Sequence, residues 1–297
     1  MFWMPTSADA ERFPCRNSSN DVDQTARRIP FTDAEEPSAV LSRRVAHESA
    51  WAAAHYLVLE MLSPTRCAGC ERAGQLLCDR CLSEFKLIDP VHACLRCGAP
   101  HGDMLCTECE RDALHAEKHE LMQVDGLNRC LAMATFAQPL SRIIRMYKDG
   151  GERRLAPLLA DLLVQTATHA QEMAPVRYGG FLDDAEAIVF VPATATAYRR
   201  RGFDHMEAIA REVSNLAEIE LVDALAKYGT SDQRELGRAE RLRAARQSYR
   251  CICDVANKNV VLIDDVITTG ATMRAAASVL KAAGAAHVDG LALARVW

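Results

Sequence analysis

VVLIDDVITTGAT, residues 260–272, decides how this chain folds and what it holds. Val260–Ile263 is a short apolar run rich in β-branched residues, the pattern of a strand buried on both faces. Two carboxylates, Asp264 and Asp265, stand where the apolar run stops. Val266 and Ile267 lead into Thr-Thr-Gly, and an alanine-rich stretch of helical composition begins at Ala271. Ligands of α/β proteins bind at the carboxyl ends of parallel strands. A helix starting there offers unpaired backbone N–H groups and the positive end of its dipole. Gly270 lets the backbone approach a ligand closely, and Thr268, Thr269 and Thr272 add hydroxyls. The loop therefore reads as a phosphate cradle, although it lacks the GxxxxGK[ST] of a Walker loop. Acids repel phosphate, so Asp264 and Asp265 must address another part of the same ligand. Ribose hydroxyls, or magnesium held with them, are natural partners for a carboxylate pair, and a sugar phosphate satisfies both halves of the stretch.

Around it, apolar strands alternate with helical patterns. CLAMATF (130–136), AIVFVP (187–192), NVVLID (259–264) and HVDGLALARV (287–296) read as strands. QPLSRIIRMY (138–147), RRLAPLLADLLVQTATHAQEM (153–173), DHMEAIAREVSNLA (204–217) and ATMRAAASVLKAAG (271–284) read as helices. That alternation predicts an α/β fold with a parallel sheet covered by helices on both faces. Residues 1–38 lack apolar periodicity and read as a disordered extension. Residues 39–62 carry helical spacing, and residues 110–125 read as a charged connector.

The chain has 297 residues, 49% of them hydrophobic and 25% charged, with a net charge of −5. These are values of an ordinary globular protein, and nothing global demands nucleic acid or an anionic membrane. No apolar run approaches the roughly 18 residues of a membrane helix. The N-terminus lacks the basic-then-apolar order of a secretory signal. The expectation is a cytoplasmic protein without membrane insertion, where patterned cysteines mean metal or catalysis more often than disulfides.

Eight of the twelve cysteines form four CxxC pairs: Cys67/Cys70, Cys78/Cys81, Cys94/Cys97 and Cys106/Cys109. Each pair directs two thiolates at one point, and two pairs complete a tetrahedral site suited to zinc. Iron–sulfur clusters and redox thiols are the other readings of such pairs. Seven residues separate the pairs in the first half, eight in the second, and twelve separate the halves. This spacing predicts two structural zinc sites, Cys67/Cys70/Cys78/Cys81 and Cys94/Cys97/Cys106/Cys109, with a cross-braced pairing as the alternative. So small a block buries little core, and metal binding of about 10 kcal/mol per site would fold it. Cys130 is expected to pack in its strand, and Cys251-x-Cys253 to alternate along another.

VVLIDDVITTGAT resembles the phosphoribosyl pyrophosphate (PRPP) motif of type I phosphoribosyltransferases. VFVPATATAYRRRGFDHMEAIAREV (189–213), QRELGRAERLRAARQSY (233–249) and YKDGGERRLAPLLADLL (147–163) narrow the resemblance, together with the preceding cysteine block, to the ComF family. The likeness covers about residues 55–297. It implies a double zinc ribbon over 63–112 followed by a type I phosphoribosyltransferase-like domain over 113–297. It implies Mg-PRPP as ligand, held by Asp264, Asp265, Val266, Thr268, Thr269, Gly270, Ala271 and Thr272. In an enzyme Asp264 and Asp265 would be the catalytic pair. Arg199 and Arg201, in the basic run after the strand ending at Pro192, and Lys148, on the YKDGG turn, are candidates for the pyrophosphate side. The plainer reading of each arginine is a solvated basic turn. Asp204-His205 stands where the family has Asn-Gln, a departure whose effect the sequence does not define.

Two functions follow from the resemblance. One is an accessory in uptake or handling of single-stranded DNA during natural transformation, with PRPP as ligand or regulator and the uptake machinery as partner. The other is a transferase moving phosphoribose to a nitrogen nucleophile and releasing pyrophosphate. Arg234, Arg238, Arg241, Arg243, Arg246 and Arg250 make residues 230–250 a basic segment suited to closing on PRPP or tracking a single-stranded backbone. Tyr249 is its single aromatic residue, which limits base stacking.

Overall fold

In a computed structural model of the 297-residue chain, the described residues are 64–102, 104–110, 126–228 and 248–297. The expected extension at 1–38, the helix at 39–62, all but the first residue of the connector at 110–125 and most of the arginine-rich segment lie outside them. The described residues fall into two compact units, 64–78 and 79–297. No helix among them is long and apolar enough to cross a membrane.

The smaller unit is a tight turn around the first CxxC pair. Arg66 bridges Ala73, Cys67 N–H donates to Arg72 O at 2.8 Å, and Ala68 N–H donates to Leu76 O at 2.9 Å.

The larger unit begins with a short helix, α1 (Asp79–Ser83), and β1 (Arg129–Thr135). Then come α2 (Leu140–Lys148), α3 (Leu155–Met173), α4 (Pro175–Tyr178), β2 (Ala187–Phe190), α5 (Ala195–Arg201), α6 (His205–Ala217), β3 (Glu220–Leu221), β4 (Leu225–Lys227), β5 (Tyr249–Cys251), β6 (Asn259–Ile267), α7 (Ala271–Ala282) and β7 (His287–Arg295). Five strands form one parallel sheet in the order β1-β7-β6-β2-β3. The crossover from β2 through α6 to β3 runs toward one edge, and that from β6 through α7 to β7 runs toward the other. Crossovers between parallel strands are right-handed as a rule, which puts helices running toward opposite edges on opposite faces. The order reverses between β2 and β6, so the crevice at their carboxyl ends is a topological switch point. Val189, Val260, Leu262, Val288, Ala292 and the α7 residues Met273, Ala276 and Leu280 share one core cluster, which also takes in Leu225 and Tyr249 of the β4–β5 hairpin.

The structure corrects three local expectations. β6 continues through both acids to Ile267, because Val266 and Ile267 still pair with Ala294 and Arg295 of β7. The basic run Arg199–Arg201 is the last turn of α5 rather than a turn. Thr194 caps that helix at its start and Gly202, at φ 75°, ends it. Cys251 closes β5, and Cys253 lies beyond the strand, so the two do not alternate along it.

The edge strand β1 is covered by the segment leading into the second cysteine block. Thr135 N–H donates to Lys86 O at 2.9 Å, Ile88 N–H to Met133 O at 2.9 Å, and Cys130 N–H to Leu95 O at 2.7 Å. An exposed parallel edge invites aggregation, and here local chain supplies its partners. Gly98 makes the approach possible: its φ is +67°, and a Cβ there would stand 3.1 Å from both Cβ and N of Ala132.

Candidate functional site

β2 ends at Phe190, opposite Ile263. Beyond that point β6 has β7 on one side and, among the described residues, no paired strand on the other, and Asp264 and Asp265 follow directly. Neighbouring residues on a strand face opposite ways, so the two acids address opposite faces of the sheet. Both are buried.

Asp265 turns toward α2 and α6. Lys148 Nζ donates to its Oδ2, and His205 Nε2 stands 3.1 Å from the same oxygen. Arg201 Nη1 lies 3.3 Å from His205 Nδ1. A guanidinium only donates, so Nδ1 accepts and Nε2 carries the proton given to Asp265. Arg201 and Arg200 also donate to Asp149 Oδ1, at 3.1 and 2.9 Å. Burial alone would raise the Asp265 carboxyl. The His205 hydrogen bond and the Lys148 charge outweigh it and hold the group well below the usual carboxylate range.

Asp264 faces the β4–β5 hairpin side. Burial, and then the neighbouring Asp265 charge, push its carboxyl up to about 7. Lys227 of β4 feels the Asp264 charge, but burial pulls its ammonium below its usual value. Its Nζ lies 5.2 Å from the centre of the Tyr249 ring, whose buried hydroxyl has no hydrogen-bond partner among the described residues.

RGFDH, residues 201–205, builds the floor of the site. Phe203 packs edge-on against Tyr147 at 6.0 Å, with the Arg153 guanidinium 4.3 Å above it. Asp204 caps α6 by accepting from Met206 N–H at 2.9 Å, and its other oxygen accepts from Ala193 N–H at 2.7 Å. Tyr147 Oη donates to His205 O at 2.5 Å. These contacts set the His205 ring against Asp265.

Beyond β6, Thr268, Thr269 and Gly270 turn into α7. Gly270 has φ +74°, and a Cβ there would meet Arg274 Nη1 at 2.6 Å. Arg274, buried one turn into α7, donates to Thr269 O at 2.9 Å, and Arg295 donates to Thr268 O. Two loop carbonyls are thereby held inward. The first turn of α7 carries no acid, so its dipole end remains positive toward an anion. Thr268, Thr269 and Thr272 are exposed beside it, with Ala271 between and Val266 on the strand behind.

Of the residues singled out in the sequence, the structure thus gathers Lys148, Arg201, Asp264, Asp265 and the loop 268–272 at one end of the sheet. Arg199 is exposed on α5. Lys227, Arg274 and Arg295 did not stand out in the sequence, because they read as ordinary helix and strand residues. His205 was signalled only by the Asp204-His205 departure from Asn-Gln, and Tyr249 only as the single aromatic residue of the basic segment.

The cysteines group consecutively, as Cys67/Cys70/Cys78/Cys81 and Cys94/Cys97/Cys106/Cys109, each set with sulfurs within 4.8 Å of one another. Four thiolates about 2.3 Å from a central ion stand about 3.8 Å apart. Cys70 and Cys78 Sγ are 3.6 Å apart, and Cys97 and Cys106 Sγ 3.7 Å. Both donor sets fit zinc. All four sulfurs of the second set belong to buried residues, whereas Cys70 of the first is exposed.

The phosphoribosyl transferase domain family matches residues 199–295. The DNA utilization protein YhgH of Escherichia coli K12 is 27% identical over 206 residues, covering 68% of this chain and 83% of that protein. Competence protein ComFC of Streptococcus pneumoniae is 25% identical over 220 residues, covering 74% and 87%. Competence protein F of Haemophilus influenzae is 24% identical over 198 residues, covering 64% and 84%. Two tetracysteine clusters ahead of a phosphoribosyltransferase-like parallel sheet, and relatives of these names matched along most of their length, support a ComF family protein.

Proposed function

We propose that the protein binds Mg-PRPP at the crevice between β2 and β6 and acts in the cytoplasm as an accessory in uptake or handling of single-stranded DNA. The observation that carries the ligand reading is the Thr268–Gly270 loop, with two carbonyls held inward by buried arginines, directly beyond two buried acids. In this reading the 5′-phosphate sits on the loop amides and the Thr268, Thr269 and Thr272 hydroxyls. The ribose hydroxyls meet Asp264 and Asp265. Lys148 and Arg201, with Arg199 farther out on α5, face the pyrophosphate. Magnesium bound with the pyrophosphate supplies charge neutralisation, and the carboxylates are the hard oxygen donors present to hold it. Zinc at each tetracysteine set supplies folding energy, since four protein ligands leave no open position for chemistry.

The DNA role rests on the names of the relatives and on the arginines at 234, 238, 241, 243 and 246, which join β4 to β5 and lie outside the described residues. Lys227 and Tyr249, paired in the hairpin, bound that segment and lie close enough to Asp264 to feel its charge. A second reading, transfer of phosphoribose to a nitrogen nucleophile, is favoured by Lys148 and Arg201. They put cationic charge on the Asp265 side of the crevice, where a departing pyrophosphate needs it.

One parallel experiment tests both. Protein is mixed with Mg-PRPP and a panel of bases, ammonia donors or single-stranded DNA, and pyrophosphate release and salt-dependent DNA binding are followed. The accessory role predicts no release and DNA binding that is lost when Arg238 and Arg241 are neutralised. Pyrophosphate release with a free base, abolished by Asp265→Asn, would establish the transferase instead. Failure to bind PRPP at all would remove the basis of both.

A further inference from the structure

Arg295, the last residue of β7, touches the second cysteine cluster and the Thr268–Gly270 loop at once. Its side chain is 3% exposed. Nη2 stands 3.7 Å from Cys97 Sγ, and Nη1 donates to Thr268 O and to Val296 O. Among the described residues the carboxylate within reach is Glu108, 3.6 Å away and itself 52% exposed. Four thiolates around one divalent ion sum to a net charge of −2. A loaded cluster therefore gives the buried guanidinium an anionic partner. Without the ion the four sulfurs are no longer held at one point, so Nη2 loses the fixed neighbour 3.7 Å away that positions it. A buried cation left with one half-exposed carboxylate is costly. Arg295 must then shift, and Thr268 O loses its donor.

We propose that Arg295 couples metal occupancy of the Cys94/Cys97/Cys106/Cys109 cluster to the geometry of the 268–272 loop, so that metal at one and phosphate at the other favour each other. Arg295 is a positioning residue for both. The phosphate half rests on reading the loop as the PRPP phosphate site. Linkage is reciprocal: whatever metal adds to phosphate affinity, phosphate adds to metal retention.

The test uses the zinc-loaded full chain, Arg295→Met, which removes the donors but keeps an apolar stem, and Arg295→Lys, which keeps the charge but not the fork. Zinc release to a chelator is timed with and without Mg-PRPP. In the unchanged chain, PRPP should slow release from one of the two sites about tenfold, within the usual range of coupling. Arg295→Met should lose that slowing and Arg295→Lys should retain part of it. In cobalt-loaded protein, the thiolate-to-cobalt charge-transfer band should move on adding PRPP, and should not move in Arg295→Met. Hydrogen exchange of amides 268–272 tests the coupling without PRPP. Exchange should quicken on metal removal, and zinc-loaded Arg295→Met should already exchange fast while holding two zinc ions. If chelation unfolds the sheet, that last comparison alone decides. PRPP binding that leaves zinc release and the cobalt band unchanged overturns the coupling and leaves the site reading intact. No PRPP binding, with loop exchange still dependent on Arg295, overturns the site reading and supports the coupling. Loop exchange indifferent to both zinc and Arg295 overturns the coupling outright.

Discussion

Along β1, residues 86–95 give an edge strand its missing backbone partners, and the four cysteines of the second set, Cys94 to Cys109, are buried in the same unit. On β6, two carboxylates share buried neighbouring positions, one pushed up to about 7 and the other held well down, with a buried tyrosine hydroxyl nearby that has no partner among the described residues. The first region satisfies its backbone groups and serves stability. The second holds two neighbouring buried acids whose titrations are pushed apart. Perturbed groups gathered in a crevice mark a site, because a fold free of functional demands would pair them or replace them.

The largest effect should come from breaking the first region. Cys94→Ser with Cys109→Ser should release one zinc and lower the stability of the whole larger unit by several kcal/mol, on the order of half the binding energy of a structural zinc. Thermal melts followed by zinc content check this. An unchanged melting curve would mean that the cluster is an appendage to the sheet.

Asp264→Asn should break the second region in the opposite sense. PRPP affinity should fall about 100-fold by titration calorimetry, equivalent to roughly 2.7 kcal/mol, while ligand-free stability rises. The folded carboxyl lies above its usual 3.8, at about 7. Between those values the folded chain binds the extra proton, so this group lowers stability as pH climbs through that window and no further above it. Urea melts at pH 5 and pH 8 should show the variant gaining on the parent by about 1–3 kcal/mol at the higher pH. A constant difference at both values would show that the Asp264 carboxyl is not pushed up.

Gly98→Ala should cost about 1–3 kcal/mol, since its backbone is left-handed and its neighbour is Ala132 on β1. Zinc content should stay at two, which separates a loosened sheet contact from a lost metal. His205→Ala should have the smallest effect. Loss of one hydrogen bond to Asp265 should weaken PRPP about 3–10-fold, with melting little changed. A larger drop in stability would move His205 from the site to the scaffold.

Much of this was legible locally. Strand and helix periodicity located the four long strands and the four long helices, because apolar alternation and 3.6-residue spacing are properties of neighbours in the chain. The end of β6 was misread, because acids look like a strand terminus until β7 is seen to pair beyond them. α5 was missed because three arginines in seven residues mask helical capping by Thr194 and Gly202. His205 was noticed only as a departure from Asn-Gln, and its contact with Asp265 spans 60 residues.

By itself the sequence determined the chemistry on offer: eight thiolates in CxxC spacing, two acids ahead of a small polar turn, and the cations around them. Those are short-range facts, set by how many residues separate two side chains. Only the tertiary structure decided which groups meet. Lys148 and Asp265 are 117 residues apart, and Arg295 and Cys97 are 198 apart. No local pattern encodes such pairs, because burial of the parallel sheet as a whole brings its carboxyl ends and the cysteine loop to one place.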